Sequence, residues 1–127
     1  MKLLLDSCTF LWLVSAPDSL SPKARQLLAS ANQEVYLSVV SRWELLVKHS
    51  LGGLSLADPA QYFDEACERF SLQDLPLQKE DVGQITKLPV VHRDPFDRML
   101  ICQAISQGLT LVTPDPLIHQ YPVSVVW

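Results

Sequence analysis

The stretch HRDPFDRMLICQAISQGLTLVTPD, residues 92–115, predicts a helix that leads directly into a buried strand. Asp94 suits the N-cap of the helix, and Pro95 suits its first position because the N–H that proline lacks would have no partner there. Gly108 closes the helix, and the apolar run LTLVT at 109–113 is typical of a strand covered on both faces. We therefore predict an amphipathic helix between Asp94 and Gly108, followed by a strand of a parallel sheet.

The same alternation of apolar strands and helices extends over the rest of the chain. Ser21-Pro22 and Asp58-Pro59 each predict the start of a helix. The predicted strands are 2–5, 34–40, 72–75, 109–113 and 123–127, and the predicted helices are 9–14, 22–31, 41–50, 58–69, 78–87 and 95–107. This order favours a three-layer α/β fold in which helices flank a central, mostly parallel sheet.

Length and composition predict a single globular domain over residues 1–127. The chain is 48% hydrophobic, which is enough to bury a core of its own. No apolar run approaches the ~20 residues that cross a bilayer, and Asp6 interrupts the apolar start that otherwise resembles a signal peptide. The cysteines are widely spaced, as expected of free thiols in a reducing cytoplasm. We therefore expect a cytoplasmic protein without a membrane partner.

The net charge of −4 does not by itself favour nucleic acid as a partner, because phosphate backbones bind to basic surfaces. The exception is a protein whose acids surround a divalent metal ion, because the bound ion makes the local field less negative. Four basic residues lie near the acids in the sequence, and solvated helix surface is their simplest interpretation. They are also candidates for phosphate contacts, namely Arg42, Lys48, Arg93 and Arg98.

Four acidic residues lie at predicted junctions between strands and helices. Asp6 directly follows the first strand, and Asp115 lies just past the strand that ends at Thr113, a candidate to hydrogen-bond a carboxylate. Glu44 and Asp97 lie in the first turns of their predicted helices. Ligands of parallel sheets bind beyond the carboxyl ends of the strands, so we expect all four carboxylates at one edge of the sheet. Converging carboxylates require a cation, and oxygen ligands favour Mg²⁺ or Mn²⁺.

Each of these acids also has a purely structural interpretation. The motif S-R-W-E at 41–44 has the pattern of a capping box, and Asp94 with Asp97 is a weaker version of it. Asp115 lies between prolines and suits a turn, whereas Asp6 is harder to explain because a buried carboxylate needs a partner. The histidines show no ligand spacing with the acids and are predicted to be surface or capping residues. They are His49, His92 and His119.

Four motifs, taken in this order, resemble a PIN domain, and more closely the VapC-type ribonuclease toxins of bacterial toxin–antitoxin pairs. They are LLLDS at 3–7, SRWEL at 41–45, HRDPFDRMLICQA at 92–104 and GLTLVTPD at 108–115. The resemblance implies a five-stranded parallel sheet flanked by helices. It also implies Mg²⁺- or Mn²⁺-dependent cleavage of RNA, a small antitoxin partner and a homodimer. In the family, the metal-binding active site is formed by acids at the positions of Asp6, Glu44, Asp97 and Asp115.

Two positions depart from the family pattern. Close relatives carry D-T-H or D-T-N after the first strand, where this chain has Asp6-Ser7-Cys8. Ser7 keeps the hydroxyl group, whereas Cys8 replaces a polar side chain. Pro114 occupies a position that is often polar or basic. We expect these changes to affect substrate contacts and to leave the metal-binding acids intact.

The leading hypothesis is a metal-dependent endoribonuclease in which a metal-activated water attacks a phosphodiester. Asp6 and Asp97 are the expected principal metal ligands, and Glu44 and Asp115 complete the site directly or through water. One alternative is a non-catalytic binding module with the same fold. Another is a phosphotransferase of the haloacid-dehalogenase type, whose nucleophile belongs to a D-x-D pattern. Cys8 occupies the second acidic position of that pattern and counts against it.

Overall fold

Five parallel strands form the central sheet of the protein, whose computed structural model describes residues 1–127. The strands are β1 (Lys2–Leu5), β2 (Glu34–Ser38), β3 (Leu72–Leu75), β4 (Thr110–Val112) and β5 (Val125–Val126). Their order is β3-β2-β1-β4-β5, and every neighbouring pair is parallel. The chain places β2 and β3 on one side of β1 and then places β4 and β5 on the other side. This leaves a topological switch point between β1 and β4. The prediction of a five-stranded parallel sheet is confirmed.

Six α-helices connect the strands and cover the sheet. They are α1 (Ser7–Ser15), α2 (Pro22–Ala29), α3 (Val39–Ser50), α4 (Tyr62–Phe70), α5 (Lys79–Gly83) and α6 (Pro95–Gln107). Short 3-10 turns lie at Pro17–Ser19, Gln84–Lys87 and Ile118–Gln120. No helix combines the length and the apolar character needed to cross a membrane.

The side chains of β1 divide the core into two layers, one on each face of the sheet. Leu3 and Leu5 pack on one face with Phe10 of α1 and Phe63 of α4. Leu4 packs on the opposite face, in a cluster that includes side chains of α6. All three leucines are fully buried, because alternate residues of a strand point to opposite faces and both faces are covered. The predicted three-layer architecture is confirmed.

Helix α3 begins earlier than the sequence predicts, and this changes the interpretation of Glu44. Strand β2 ends at Ser38, whose hydroxyl oxygen accepts a hydrogen bond from the Val40 N–H at 3.0 Å as the N-cap of α3. The predicted strand over 34–40 and the capping box of Ser41 with Glu44 are therefore wrong. Val40 has a high strand propensity, but its burial in the core stabilises the helix despite this propensity. Glu44 lies in the second turn of α3, so its carboxylate has no capping role.

Helix α6 begins and ends where the sequence predicts, but it is not amphipathic. Asp94 Oδ1 accepts hydrogen bonds from the N–H groups of Phe96 at 2.8 Å and Asp97 at 3.3 Å. Gly108 ends the helix with a φ of +68°, a conformation that favours glycine. Residues 100–104 are all buried because β4, α3 and α5 all contact the helix. The first turn of α6 is therefore held firmly at the carboxyl edge of the sheet.

Candidate active site

A pocket of about 480 Å³ opens at the carboxyl ends of β1 and β4, where the sheet has its switch point. Asp94 lines this pocket, and Lys48 is its only basic residue. The four acids singled out in the sequence also line it: Asp6 after β1, Asp115 after β4, Glu44 on α3 and Asp97 on α6. The structure thus brings together acids that are up to 109 residues apart in the chain, from Asp6 to Asp115.

Asp6 is almost fully buried, with 4% of its surface exposed. Its Oδ1 accepts a hydrogen bond from the Thr9 N–H at 2.8 Å, which makes Asp6 the N-cap of α1. Its Oδ2 accepts a hydrogen bond from the Thr113 hydroxyl at 2.5 Å, as predicted for this threonine. Burial raises the pKa of Asp6, and the hydrogen bonds from Thr113 and Thr9 oppose this shift. The carboxylate is thus fixed in place between the two strands that flank the switch point.

Glu44 is 3% exposed, and both of its carboxylate oxygens have donors within the protein. The Ser7 hydroxyl donates to Oε1 at 2.7 Å, and Lys48 Nζ donates to Oε2 at 2.7 Å. The hydrogen bond to Glu44 raises the pKa of Lys48, and partial burial opposes the shift. Lys48 therefore carries a full positive charge at neutral pH, on a side chain that remains 54% exposed.

The remaining basic candidates lie outside the pocket lining. Arg42 pairs with Asp64 at 2.9 Å and with Asp74 at 2.6 Å, so its guanidinium belongs to the neighbouring surface of α4 and β3. Lys48 is therefore the one basic candidate from the sequence that the fold places in the pocket.

Asp97 is the least satisfied carboxylate of the pocket. Its Oδ2 lies 3.1 Å from His92 Nε2, whereas its Oδ1 receives no hydrogen bond from the protein. Burial is the main cause that raises its pKa from 3.8 to about 7. Repulsion from Asp94, Glu44 and Asp6 adds to the shift, and His92 opposes it. A bound cation would coordinate the free oxygen and would reduce the repulsion between the carboxylates.

Asp115 has the turn role that its neighbouring prolines suggest and also faces the pocket. Its Oδ1 accepts a hydrogen bond from the Leu117 N–H at 2.9 Å, and its own N–H donates to Thr113 Oγ1 at 3.1 Å. Its Oδ2 lies 2.9 Å from His92 Nε2. Asp115 therefore stabilises the turn through Oδ1 and faces the pocket with Oδ2.

His92 is a residue of the site that the sequence interpretation misses. Its side chain is only 14% exposed, so the predicted surface role is wrong, whereas the capping role is present because Nδ1 accepts the Asp94 N–H at 3.1 Å. The contacts of its Nε2 with Asp97 and Asp115 are not predicted. The available signal was its position two residues before the N-cap Asp94, at the same junction as Asp97. The other two histidines do cap loops: His49 Nδ1 accepts the Leu56 N–H at 3.1 Å, and His119 Nε2 lies 2.9 Å from the Thr113 carbonyl.

The two residues that depart from the family pattern, Cys8 and Pro114, both line the pocket. Burial, reinforced by the charge of Asp6, raises the pKa of the Cys8 thiol to about 11, although Lys48 opposes the shift. A thiol with this pKa is protonated at neutral pH in the metal-free protein and is not a strong nucleophile. Cys8 therefore contributes an uncharged wall to the pocket.

The chemistry of the pocket fits a divalent cation. Donor atoms of His92, Asp97 and Asp115 all lie within 4.8 Å of one another. Asp6 and Glu44 line the same pocket, so carboxylate oxygens predominate over nitrogen and sulfur donors. Such an oxygen-rich set suits Mg²⁺ or Mn²⁺ better than zinc.

Comparison with known sequences gives one family. A family model of the PIN domain matches residues 3–123 of the chain. No curated protein is similar enough in sequence to match it.

Several solved structures share the fold, and three of them contain VapBC complexes. One is VapBC2 from Rickettsia felis, bound to a promoter DNA fragment. Its TM-score is 0.74 and its identity is 16%, and the alignment covers 100% of this chain and 99% of that chain. DNA-bound VapBC from Salmonella typhimurium has a TM-score of 0.69 and 22% identity, covering 99% and 97%. VapBC-1 from nontypeable Haemophilus influenzae has a TM-score of 0.68 and 16% identity, also covering 99% and 97%. At these identities the likeness shows the fold.

Proposed function

The chain belongs to the PIN-domain family, and from this premise we propose that it is a Mg²⁺- or Mn²⁺-dependent endoribonuclease. The proposed reaction is hydrolysis of an RNA phosphodiester with water as the nucleophile. The observation that carries the proposal is the convergence of four carboxylates in one open pocket at the switch point of the sheet. They belong to Asp6, Glu44, Asp97 and Asp115.

Asp97 and Asp6 are the proposed principal ligands of the cation, with Asp115 beside them. Asp97 has the strongest support, because its Oδ1 is free of protein donors and because burial and then the neighbouring carboxylates raise its pKa. The charge of Glu44 is already balanced by Lys48, whose ammonium donates to Oε2 while Ser7 donates to Oε1, which supports a role through these partners or through water. When bound, Mg²⁺ or Mn²⁺ lowers the pKa of a water molecule and withdraws charge from the phosphodiester.

Lys48 is the proposed contact for an RNA phosphate. Its ammonium group is the only positive charge in the lining of an otherwise acidic pocket, and half of its side chain faces solvent. The 2.7 Å hydrogen bond to Glu44 limits its motion, so its remaining N–H donors are directed from a fixed point. A lysine held in this way draws a phosphate towards the carboxylates that would otherwise repel it.

We further propose that the protein is the toxin of a toxin–antitoxin pair and acts in the cytoplasm. The structural neighbours described as VapBC complexes support an antitoxin partner, and free cysteines at positions 8, 67 and 102 fit a reducing compartment. A homodimer is proposed as well. Exposed apolar side chains on α3 provide a surface for such contacts, namely Val39, Trp43 and Leu46. Residues 1–127 are proposed to be one domain, since both core layers pack on the same sheet.

The phosphotransferase alternative has little support from the residues that follow Asp6. The second position of a D-x-D pattern is Cys8, a protonated thiol at neutral pH.

The test of the proposal is cleavage of RNA by the purified full chain in Mg²⁺ or Mn²⁺ and in EDTA. Cleavage is expected only with the metal, and because water attacks in place of the ribose 2′-hydroxyl, the products should lack 2′,3′-cyclic phosphates. Asp115→Asn should reduce the rate at least about tenfold, whereas Asp18→Asn is a matched control, because that side chain is fully exposed and lies outside the pocket. Binding of metal and RNA without cleavage would instead support the non-catalytic binding module.

A further inference from the structure

We propose that His92 is a positioning residue that holds the carboxylates of Asp97 and Asp115 with its Nε2–H and is not itself a ligand of the cation. This inference rests on the proposed function, because it assigns a role within the same metal site. By proximity alone, His92, Asp97 and Asp115 are three equivalent candidate ligands. Of these, only the two carboxylates are retained as ligands.

The hydrogen bonds of the imidazole determine which nitrogen carries the proton. His92 Nδ1 lies 3.1 Å from the backbone nitrogen of Asp94, and a backbone N–H is only a donor. Nδ1 must therefore be the acceptor, and in a neutral imidazole the proton then lies on Nε2. Nε2–H in turn donates to Asp115 Oδ2 at 2.9 Å, and Asp97 Oδ2 lies 3.1 Å from the same nitrogen as a charged neighbour.

Ligation through Nε2 would require the opposite tautomer. A metal-binding nitrogen presents a lone pair, so the proton would have to move to Nδ1. An Nδ1–H would then face the Asp94 N–H at 3.1 Å, and two donors would oppose each other in a site that is 14% exposed. Asp94 is the N-cap of α6, so its backbone cannot turn away without disturbing the helix.

The position of the ring is fixed from the main-chain side as well. The His92 N–H donates to the Tyr121 hydroxyl oxygen at 2.7 Å, and the Val91 N–H donates to the same oxygen at 3.2 Å. Tyr121 is 4% exposed and belongs to the core on the α6 face. His92 therefore links the loop before α6 to the loop after β4 and fixes the spacing of Asp97 and Asp115. The cation would then have carboxylate oxygens as its protein ligands, which suits Mg²⁺ or Mn²⁺.

Nuclear magnetic resonance of the ¹³C,¹⁵N-labelled full chain tests the tautomer directly. Long-range ¹H–¹⁵N correlations of His92 are recorded without metal and in saturating Mg²⁺, which is diamagnetic. The expected result is a proton on Nε2 in both states, with the Nε2 resonance shifting as the carboxylates bind the ion. A proton on Nδ1 in either state would overturn the inference.

Mg²⁺ titration calorimetry of two variants provides a second readout. His92→Ala removes the shared donor and should weaken Mg²⁺ binding about 10- to 100-fold. His92→Gln replaces it with an amide N–H and should recover most of that loss. His49→Ala, which removes a loop-capping histidine outside the pocket, is the control and should bind Mg²⁺ as the wild type does. Undiminished Mg²⁺ affinity in His92→Ala, or no recovery in His92→Gln, would contradict a positioning role.

The two experiments also separate this inference from the function on which it rests. If Mg²⁺ binds and shifts the Asp97 carboxyl resonance while the proton lies on Nδ1, His92 is a ligand and only the inference fails. If neither Mg²⁺ nor Mn²⁺ binds to the wild-type protein, the metal-dependent function fails and the inference fails with it.

Discussion

The hydroxyl of Thr113 donates a hydrogen bond to Asp6 Oδ2 at 2.5 Å and thereby joins the carboxyl ends of β1 and β4. The same oxygen of Thr113 accepts the N–H of Asp115 at 3.1 Å. One fully buried hydroxyl thus links two of the five acids that line the pocket. The geometry of the site depends on this contact across the switch point of the sheet.

Thr113→Val should destabilise the protein and weaken its metal site. Valine keeps the shape of the side chain but leaves Asp6 Oδ2 and the Asp115 N–H without their partner, at a cost of about 1–3 kcal/mol in the free energy of unfolding. Mg²⁺ affinity should fall about tenfold. Urea unfolding and calorimetry measure the two effects. The matched control is Thr110→Val, whose hydroxyl contacts Ser124 in an exposed position, and equal losses in both variants would contradict the role of Thr113.

The stability of the metal-free protein should fall as the pH rises from about 4 to about 7. The pKa of Asp97 is raised from 3.8 to about 7, so the folded state binds this proton more tightly than the unfolded chain does. Ionisation across this window therefore costs stability. Asp97→Asn removes that cost and should be more stable than the wild type by about 1–3 kcal/mol at pH 8 in EDTA.

The difference between Asp97→Asn and the wild type should shrink towards pH 4, where the wild-type carboxyl is protonated. Urea unfolding at several pH values in EDTA is the measurement. Saturating Mg²⁺ should reverse the order at pH 8, because only the wild type gains stability from binding the ion. An Asp97→Asn variant that is less stable than the wild type at pH 8 in EDTA would refute the cost of ionising Asp97 in its buried, negatively charged surroundings.

Lys48→Met should impair the use of RNA without impairing the binding of metal. Loss of a phosphate contact should raise the KM for RNA about tenfold and reduce the slope of log affinity against log salt by about one. Mg²⁺ affinity should not fall, because the substitution removes a positive charge from an acidic pocket. Kinetics at several salt concentrations and calorimetry measure these effects. Lys23→Met, at an exposed site on α2, is the control, and an unchanged KM for Lys48→Met would count against the phosphate contact.

Local sequence signals predict most of the fold. Asp94, Pro95 and Gly108 mark the ends of α6 at the observed residues, because caps and helix breakers act within one turn. The strands over 2–5 and 72–75 are likewise predicted at the observed bounds. The convergence of the four acids follows from their positions at the ends of these elements, since parallel strands place such junctions at one edge.

Features that depend on tertiary contacts are not predicted. The start of α3 is misplaced because the strand propensity of Val40 is outweighed by its burial, which the local sequence does not reveal. The contact of His92 with Asp115 spans 23 residues and joins two loops, so no local spacing indicates it. The pairing of Ser7 with Glu44 likewise joins residues 37 positions apart. Sequence reasoning therefore finds the four acids and Thr113, but not the pairings of Ser7 and His92 with those acids.

The central claim is that carboxylates at the switch point form the active site of a metal-dependent ribonuclease. The most direct measurement is the rate of RNA cleavage by Asp97→Asn in Mg²⁺ or Mn²⁺, made on protein whose circular dichroism and thermal unfolding show that it is folded. A loss of at least about 100-fold relative to the wild type is the predicted result. Cleavage at the wild-type rate by the folded variant would contradict the assignment of Asp97 to the active site.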